Sequence, residues 1–99
     1  MSVMQTFNPS WGYGQSLTPS AASASVSFGG GRKSFVVTNT GSVTCYIRTG
    51  NSGVTASAAD YPVLAGSQVS LTKDQDHTHL AHIAASGTGA LHIIPGEGF

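Results

Sequence analysis

The sequence predicts an all-β fold: a compact antiparallel β-sandwich, jelly-roll-like, of about six to eight short strands with an extended N-terminal arm. Three observations carry that expectation. Several windows alternate apolar and polar residues, as Ala24, Val26 and Phe28 do against Ser23, Ser25 and Ser27; period two is the mark of a strand with one buried face. No window holds apolar residues at the i, i+3, i+4, i+7 spacing of a long helix. Thirteen glycines and four prolines cut the 99 residues into short pieces, the punctuation of many strands joined by turns.

The elements follow in order. Residues 1–21 differ from the rest. They are rich in Pro, Gly and Ser, yet carry Phe7, Trp11 and Tyr13, three more aromatics than a plain linker needs. This segment reads as an extended arm, lying on another surface or folded back over the domain's own sheet edge. Residues 22–99 form the sandwich domain. "SASVSF" (23–28) is a half-buried strand, and "GGGR" (29–32) a turn whose glycines are free to take positive φ. "KSFVVTNT" (33–40) is a β-branched and aromatic strand. A tight turn at "NTGS" (39–42) joins it in an expected hairpin to "VTCYIRTG" (43–50). There Val43, Cys45 and Ile47 share one face, and Thr44, Tyr46 and Arg48 the other.

"NSGVTASAADYP" (51–62) is a long polar loop, a contact loop or outward-facing tip. "GSQVSLTK" (66–73) is a strand with Val69 and Leu71 inward, and "DQD" (74–76) a loop. "HTHLAHIAAS" (77–86) and "GALHIIPG" (89–96) are strands joined by a short turn, so they are expected to be neighbours in one sheet.

Charge is scarce. Four basic residues (Arg32, Lys33, Arg48, Lys73) balance four acidic ones (Asp60, Asp74, Asp76, Glu97), and charged residues make up 8% of the chain. The ordinary share is about 25%. With no basic stripe to neutralise phosphates, nucleic acid is not an expected partner. With no polybasic or amphipathic segment, neither is a membrane. A near-neutral surface favours association, so much of this one is expected to be covered in use. Cys45 is the single cysteine, which rules out an intramolecular disulfide. The first residues lack the positive charge and apolar core of a secretory signal, so the expected place of synthesis is a reducing cytoplasm.

The histidines are the most conspicuous side chains. Three of the four (His77, His79, His82) fall within "HTHLAH". On a strand His77 and His79 share one face and His82 takes the other, so the three do not converge. His77 and His79, with His92 from the expected neighbouring strand, are weak candidates for a metal; zinc needs three or four such ligands in tetrahedral array. Asp74 and Asp76 are further options. No resident metal or cofactor is expected. A pH-sensitive interface is a third use for imidazoles.

Catalysis is not expected either. Cys45 lies on the face read as buried, where thiols are inert. No serine sits in a Gly-x-Ser-x-Gly elbow, and "GGGRKS" lacks the spacing of a phosphate-binding loop.

From about Ser34 the cadence of "SFVVTNTGSVTCYIRTG", "ADYPVLAGSQVSLTK" and "LHIIPGEGF" resembles small bacteriophage β-sandwich virion proteins of the head-decoration or cement type. The matching elements are turn and strand signals: Asn39-Thr40-Gly41, the strand ending at Arg48, the step from Pro62 to Ser67 and the closing Pro95 to Gly98. The resemblance covers about two-thirds of the chain and leaves out the arm.

It implies a non-enzymatic structural protein of the virion, made in the host cytoplasm, that stabilises the head by bridging capsid subunits. The implied partners are the major capsid protein or another virion protein, and further copies of the chain, with a trimer favoured. No functional residue transfers from the resemblance. Phe7, Trp11, Tyr13 and Tyr61 are the expected partner-binding residues because aromatics dominate interface energetics. A tail or head–tail connector component is an alternative. So is a carbohydrate-binding host-attachment module that stacks Trp11, Tyr13, Tyr46 or Tyr61 on sugar rings. A metal-dependent enzyme using His77, His79 and His92 is the third class.

Overall fold

A computed structural model describes residues 8–28, 33–74 and 76–97. The "GGGR" turn and Phe7 lie outside them. The described chain is all β, without helix. Its strands are β1 (Asn8–Pro9), β2 (Gln15–Leu17), β3 (Ala24–Ser27), β4 (Ser34–Asn39), β5 (Cys45–Gly50), β6 (Tyr61–Val63), β7 (Gln68–Thr72), β8 (His79–Ala84) and β9 (Leu91–Glu97). All pairings are antiparallel.

The pairings are nested. β5 pairs with β6, β4 with β7, β3 with β8 and β2 with β9. Successive pairs alternate between two sheets: β9–β4–β7 with β1 and β2 on its outer edge, and β3–β8–β5–β6. This is the jelly-roll order, a long folded-back ribbon rolled on itself. Because β1 and β2 both flank β9, they are two halves of one interrupted edge strand. Each sheet therefore has four strand positions.

The roll explains two expectations that fail. β4 and β5 do not form a hairpin, and β8 and β9 are not neighbours, because each pair is split between the sheets. In a sandwich a short connection either turns back within a sheet or arches to the other one. At "NTGS" the arch wins because Asn39 is buried and holds it. Its Nδ2 donates to the carbonyls of Val43 at 2.8 Å and Val63 at 2.9 Å, while Gly41 N–H donates to Oδ1 at 3.0 Å. The first residue of the expected tight turn is a polar rivet inside the corner.

The core lies between the sheets. Phe35, Val37, Leu91 and Ile93 from one sheet meet Cys45, Ile47, Val63, Leu80 and Ala84 from the other. Period-two alternation places them: along β5, Cys45 and Ile47 are buried and Arg48 exposed. Val69 and Leu71 pack against this cluster as expected. Phe28 meets Phe35 edge to face, with ring centroids 5.5 Å apart, a favoured aromatic geometry. Lys73 closes that end. It is buried, its ammonium lies 5.2 Å from the Phe28 ring centre and donates to the His77 carbonyl at 2.8 Å. Burial holds the Lys73 ammonium below its ordinary pKa, partly offset by Asp74 and Glu97.

Candidate functional site

The N-terminal segment builds its most exposed feature from a missing N–H. Within the described residues the segment expected as an arm runs along β9, and Leu17 and Pro19 are buried. β9 is an interior strand, yet it contains Pro95, a residue rare in that position because it cannot donate to the ladder. The Pro95 carbonyl accepts from Ser10 N–H at 2.8 Å, so the proline nitrogen faces the same edge, where it has nothing to give. The edge strand breaks there. Pro9 lies opposite Gly96 and Gln15 opposite Ile93, so residues 10–14 span the gap facing Ile94 and Pro95.

That excursion presents Trp11 at 80% exposure and Tyr13 at 66%. Its shape is set locally. Tyr13 N–H donates to the Ser10 carbonyl at 3.0 Å, closing a turn. Gly12 between them has φ +84°, a region open to glycine and costly for other residues. Gly14 then passes tight against His92: a Cβ there would lie 2.7 Å from Nε2. His92 also meets Ser16 Oγ at 3.4 Å. Two aromatic rings thus stand out from a turn anchored on both sides to β9.

The other candidates are dispersed. Tyr61, 45% exposed, lies on β6, at the opposite side of the roll from β2 and β3, which are joined by the Gln15 Nε2 to Ser27 carbonyl bond of 2.8 Å. The expected aromatic anchors therefore form no single patch.

His77 and His79 do lie close in sequence at the start of β8. His77 Nδ1 meets Thr49 Oγ1 at 2.9 Å, and His79 Nδ1 meets Thr78 Oγ1 at 2.7 Å. His92, expected beside them, projects from the other sheet. Among the described residues no three His, Cys, Asp or Glu side chains gather to hold a metal. His82 points the other way, into the sandwich, where it is buried and its Nδ1 has no partner among the described residues. Burial lowers its pKa. Cys45 is buried, and burial raises its thiol pKa; Gly89 packs so close that a Cβ there would be 2.5 Å from Sγ.

The sequence reading missed a concave site. Loop 51–60 does not project as a tip. It leaves β5, crosses the outer face of its sheet and bonds to Ser23 beside β3, whose Oγ accepts from Ala56 N–H at 2.9 Å. It then returns to β6, where Asp60 approaches Arg48 at 3.9 Å. Between its first half and the end of β5 lies a polar cleft of about 470 Å³, lined by Arg48, Thr49, Asn51, Ser52, Thr55 and His77 among others. On the other side of β5, a smaller cleft of about 230 Å³ lies over Phe35, Ile47, Tyr61 and Leu71.

No protein-family model and no curated protein sequence matches the chain. Solved structures do match in fold. PirA aligns at a TM-score of 0.53 with 14% identity, over 84% of this chain and 93% of its own. A subunit described with Bacillus endospore appendages, a family of disulfide-linked pili, aligns at 0.50 with 19% identity, over 87% and 83%. The SPBc2 prophage-derived protein YomS aligns at 0.50 with 11% identity, over 97% and 99%. At these identities the likeness is one of fold: a small β-sandwich shared along nearly the whole chain.

Proposed function

We propose that this chain is a non-enzymatic structural protein of a phage particle, a decoration or cement protein that ties neighbouring capsid subunits together. The observation that carries the reading is the Trp11–Gly12–Tyr13 turn, which holds two large aromatic rings in solvent on an anchored backbone. Exposed rings on a rigid support supply contact area at little entropic cost. A prophage-derived protein among the fold's neighbours supports a phage setting, and a pilus subunit among them supports a role in assemblies. The low charge content suits a surface that is covered when the protein works. Many such contacts repeated over a shell sum to strong reinforcement without one tight site.

The working form is a closed homo-oligomer, with a trimer the favoured state, and its partner is the major capsid protein. Light scattering behind a sizing column, followed by co-sedimentation with assembled phage shells, tests both parts. A discrete oligomer that sediments with shells is expected. A monomer that stays in the supernatant at saturating concentration sinks the proposal.

A further inference from the structure

We propose that the polar cleft between loop 51–55 and the end of β5 is a binding site for an oxyanion, a phosphate or carboxylate group. Its recognition chemistry is one-sided. Arg48 brings a guanidinium with five N–H donors in a planar fork matched to such anions. His77 brings an imidazole, Asn51 an amide, and Ser52 and Thr55 hydroxyls, and no carboxylate lines the cleft. The His77 ring is held by its Nδ1 contact with Thr49 Oγ1 at 2.9 Å, which leaves Nε2 as its free end.

The wall opposite these groups is fixed by backbone. Gly50 approaches Val54 so closely that a Cβ would lie 2.7 Å from Cγ2, and Gly53 turns the loop at φ +93°. Val54 N–H donates to the Asn51 carbonyl at 3.0 Å, and Thr78 N–H to the Gly50 carbonyl at 3.0 Å. The cleft is thus a shaped feature of the loop.

Arg48 is available for a ligand. Its side chain is 61% exposed, and its contact with Asp60 is long at 3.9 Å. The Asp60 carboxylate is also committed elsewhere, since Oδ2 accepts from Ser57 N–H at 2.8 Å. Asp60 therefore sits at the rim as a weak competitor, and an arriving oxyanion with bidentate geometry outcompetes it for the fork.

The test is a titration of ¹⁵N-labelled protein with inorganic phosphate and, separately, with acetate, read by amide chemical shifts at constant pH and ionic strength. Saturable shifts confined to residues 48–55 and 77 are expected. Phosphate saturating with acetate silent assigns the site to phosphate-type ligands, and the reverse to carboxylates; either supports it. Arg48→Ala should weaken binding tenfold or more while the rest of the spectrum stays unchanged. Asp60→Asn keeps an acceptor for Ser57 N–H, removes the competing charge and should tighten binding several-fold. The proposal is overturned by the absence of any saturable shift, by Arg48→Ala binding as tightly as the wild type, or by Asp60→Asn binding more weakly.

Discussion

Asn39 Nδ2 donates to the Val63 carbonyl at 2.9 Å, and this bond joins the two sheets at the corner where β4 leaves one for the other. Asn39 and Val63 are both fully enclosed, so neither group has water as a substitute partner. Replacing Asn39 by Ala removes a donor from the Val43 and Val63 carbonyls and the acceptor of Gly41 N–H at once, leaving Val43 with its long contact from Cys45 Sγ and Val63 with its ladder partner Cys45. Each buried group left short of a partner costs about 1–3 kcal/mol, with partial relaxation where Val43 and Gly41 are only half-buried. A loss of roughly 3 kcal/mol in urea unfolding is expected for Asn39→Ala, with Asn39→Asp no better because it has no N–H₂ to give. A loss below about 0.5 kcal/mol, the scale of an ordinary surface change, would show the corner is held by packing alone.

Trp11 separates binding from folding. It touches solvent over most of its surface, so Trp11→Ala should change stability by no more than about 0.5 kcal/mol. Shell binding should fall tenfold or more, as for an aromatic anchor. Paired thermal melts and co-sedimentation measure both, and unchanged co-sedimentation removes Trp11 from the interface.

Acid should loosen the sandwich through His82. Its folded-state pKa is lowered by burial, so below the unfolded value of about 6.5 the unfolded chain binds the proton that the native site refuses. Stability is greatest above that pH and falls as pH drops through it. The urea midpoint should be lower at pH 5 than at pH 7.5. His82→Leu, which removes the titrating group and fills the space, should shrink that difference. An identical pH dependence in both proteins would put the acid sensitivity elsewhere.

Gly89 and Cys45 should be energetically coupled. A Cβ at Gly89 collides with Cys45 Sγ in the closed interior, and overpacking of that kind costs about 1–3 kcal/mol. Gly89→Ala should be destabilising alone and largely rescued by Cys45→Ala, because the second change removes the struck atom. Additive losses in the double-mutant cycle would mean that the backbone at Gly89, and not the contact, needs glycine.

The period-two windows were enough to find six strands and most of the core, but β1 and β2 lie in the segment read as an arm and β6 begins inside the stretch read as a loop; at two or three residues each they are too short to show an alternation. Val43, Cys45, Ile47, Val69 and Leu71 occupy the faces their alternation predicts. Connectivity was less legible, because "NTGS" and "SGTG" are equally good signals for a hairpin and for an arch between sheets. Only the nested register decides, and that is a long-range property. Asn39 was misread for the same reason: asparagine is a turn residue by local rules, and nothing local says that its amide is buried. Pro95 falls within the strand read at 89–96 and within β9, but nothing local says that β9 is an interior strand whose neighbour must break opposite the proline. The polar cleft needed the return of loop 51–60 over the sheet, a path fixed by Ala56, Ser23 and Asp60 far apart in sequence.

The break opposite Pro95 also bears on aggregation. An uninterrupted outer edge beside β9 would offer a row of free N–H and C=O groups to any other extended chain, the template from which fibres grow. Among the described residues, the five-residue detour from Ser10 to Gly14 divides this edge into β1's two residues and β2's three. A protein with so little charge to repel its own copies thereby gains a backbone safeguard along this one edge. Filling the gap, by deleting part of 10–14 together with Pro95→Val, would restore a continuous edge and with it the hazard of fibrils.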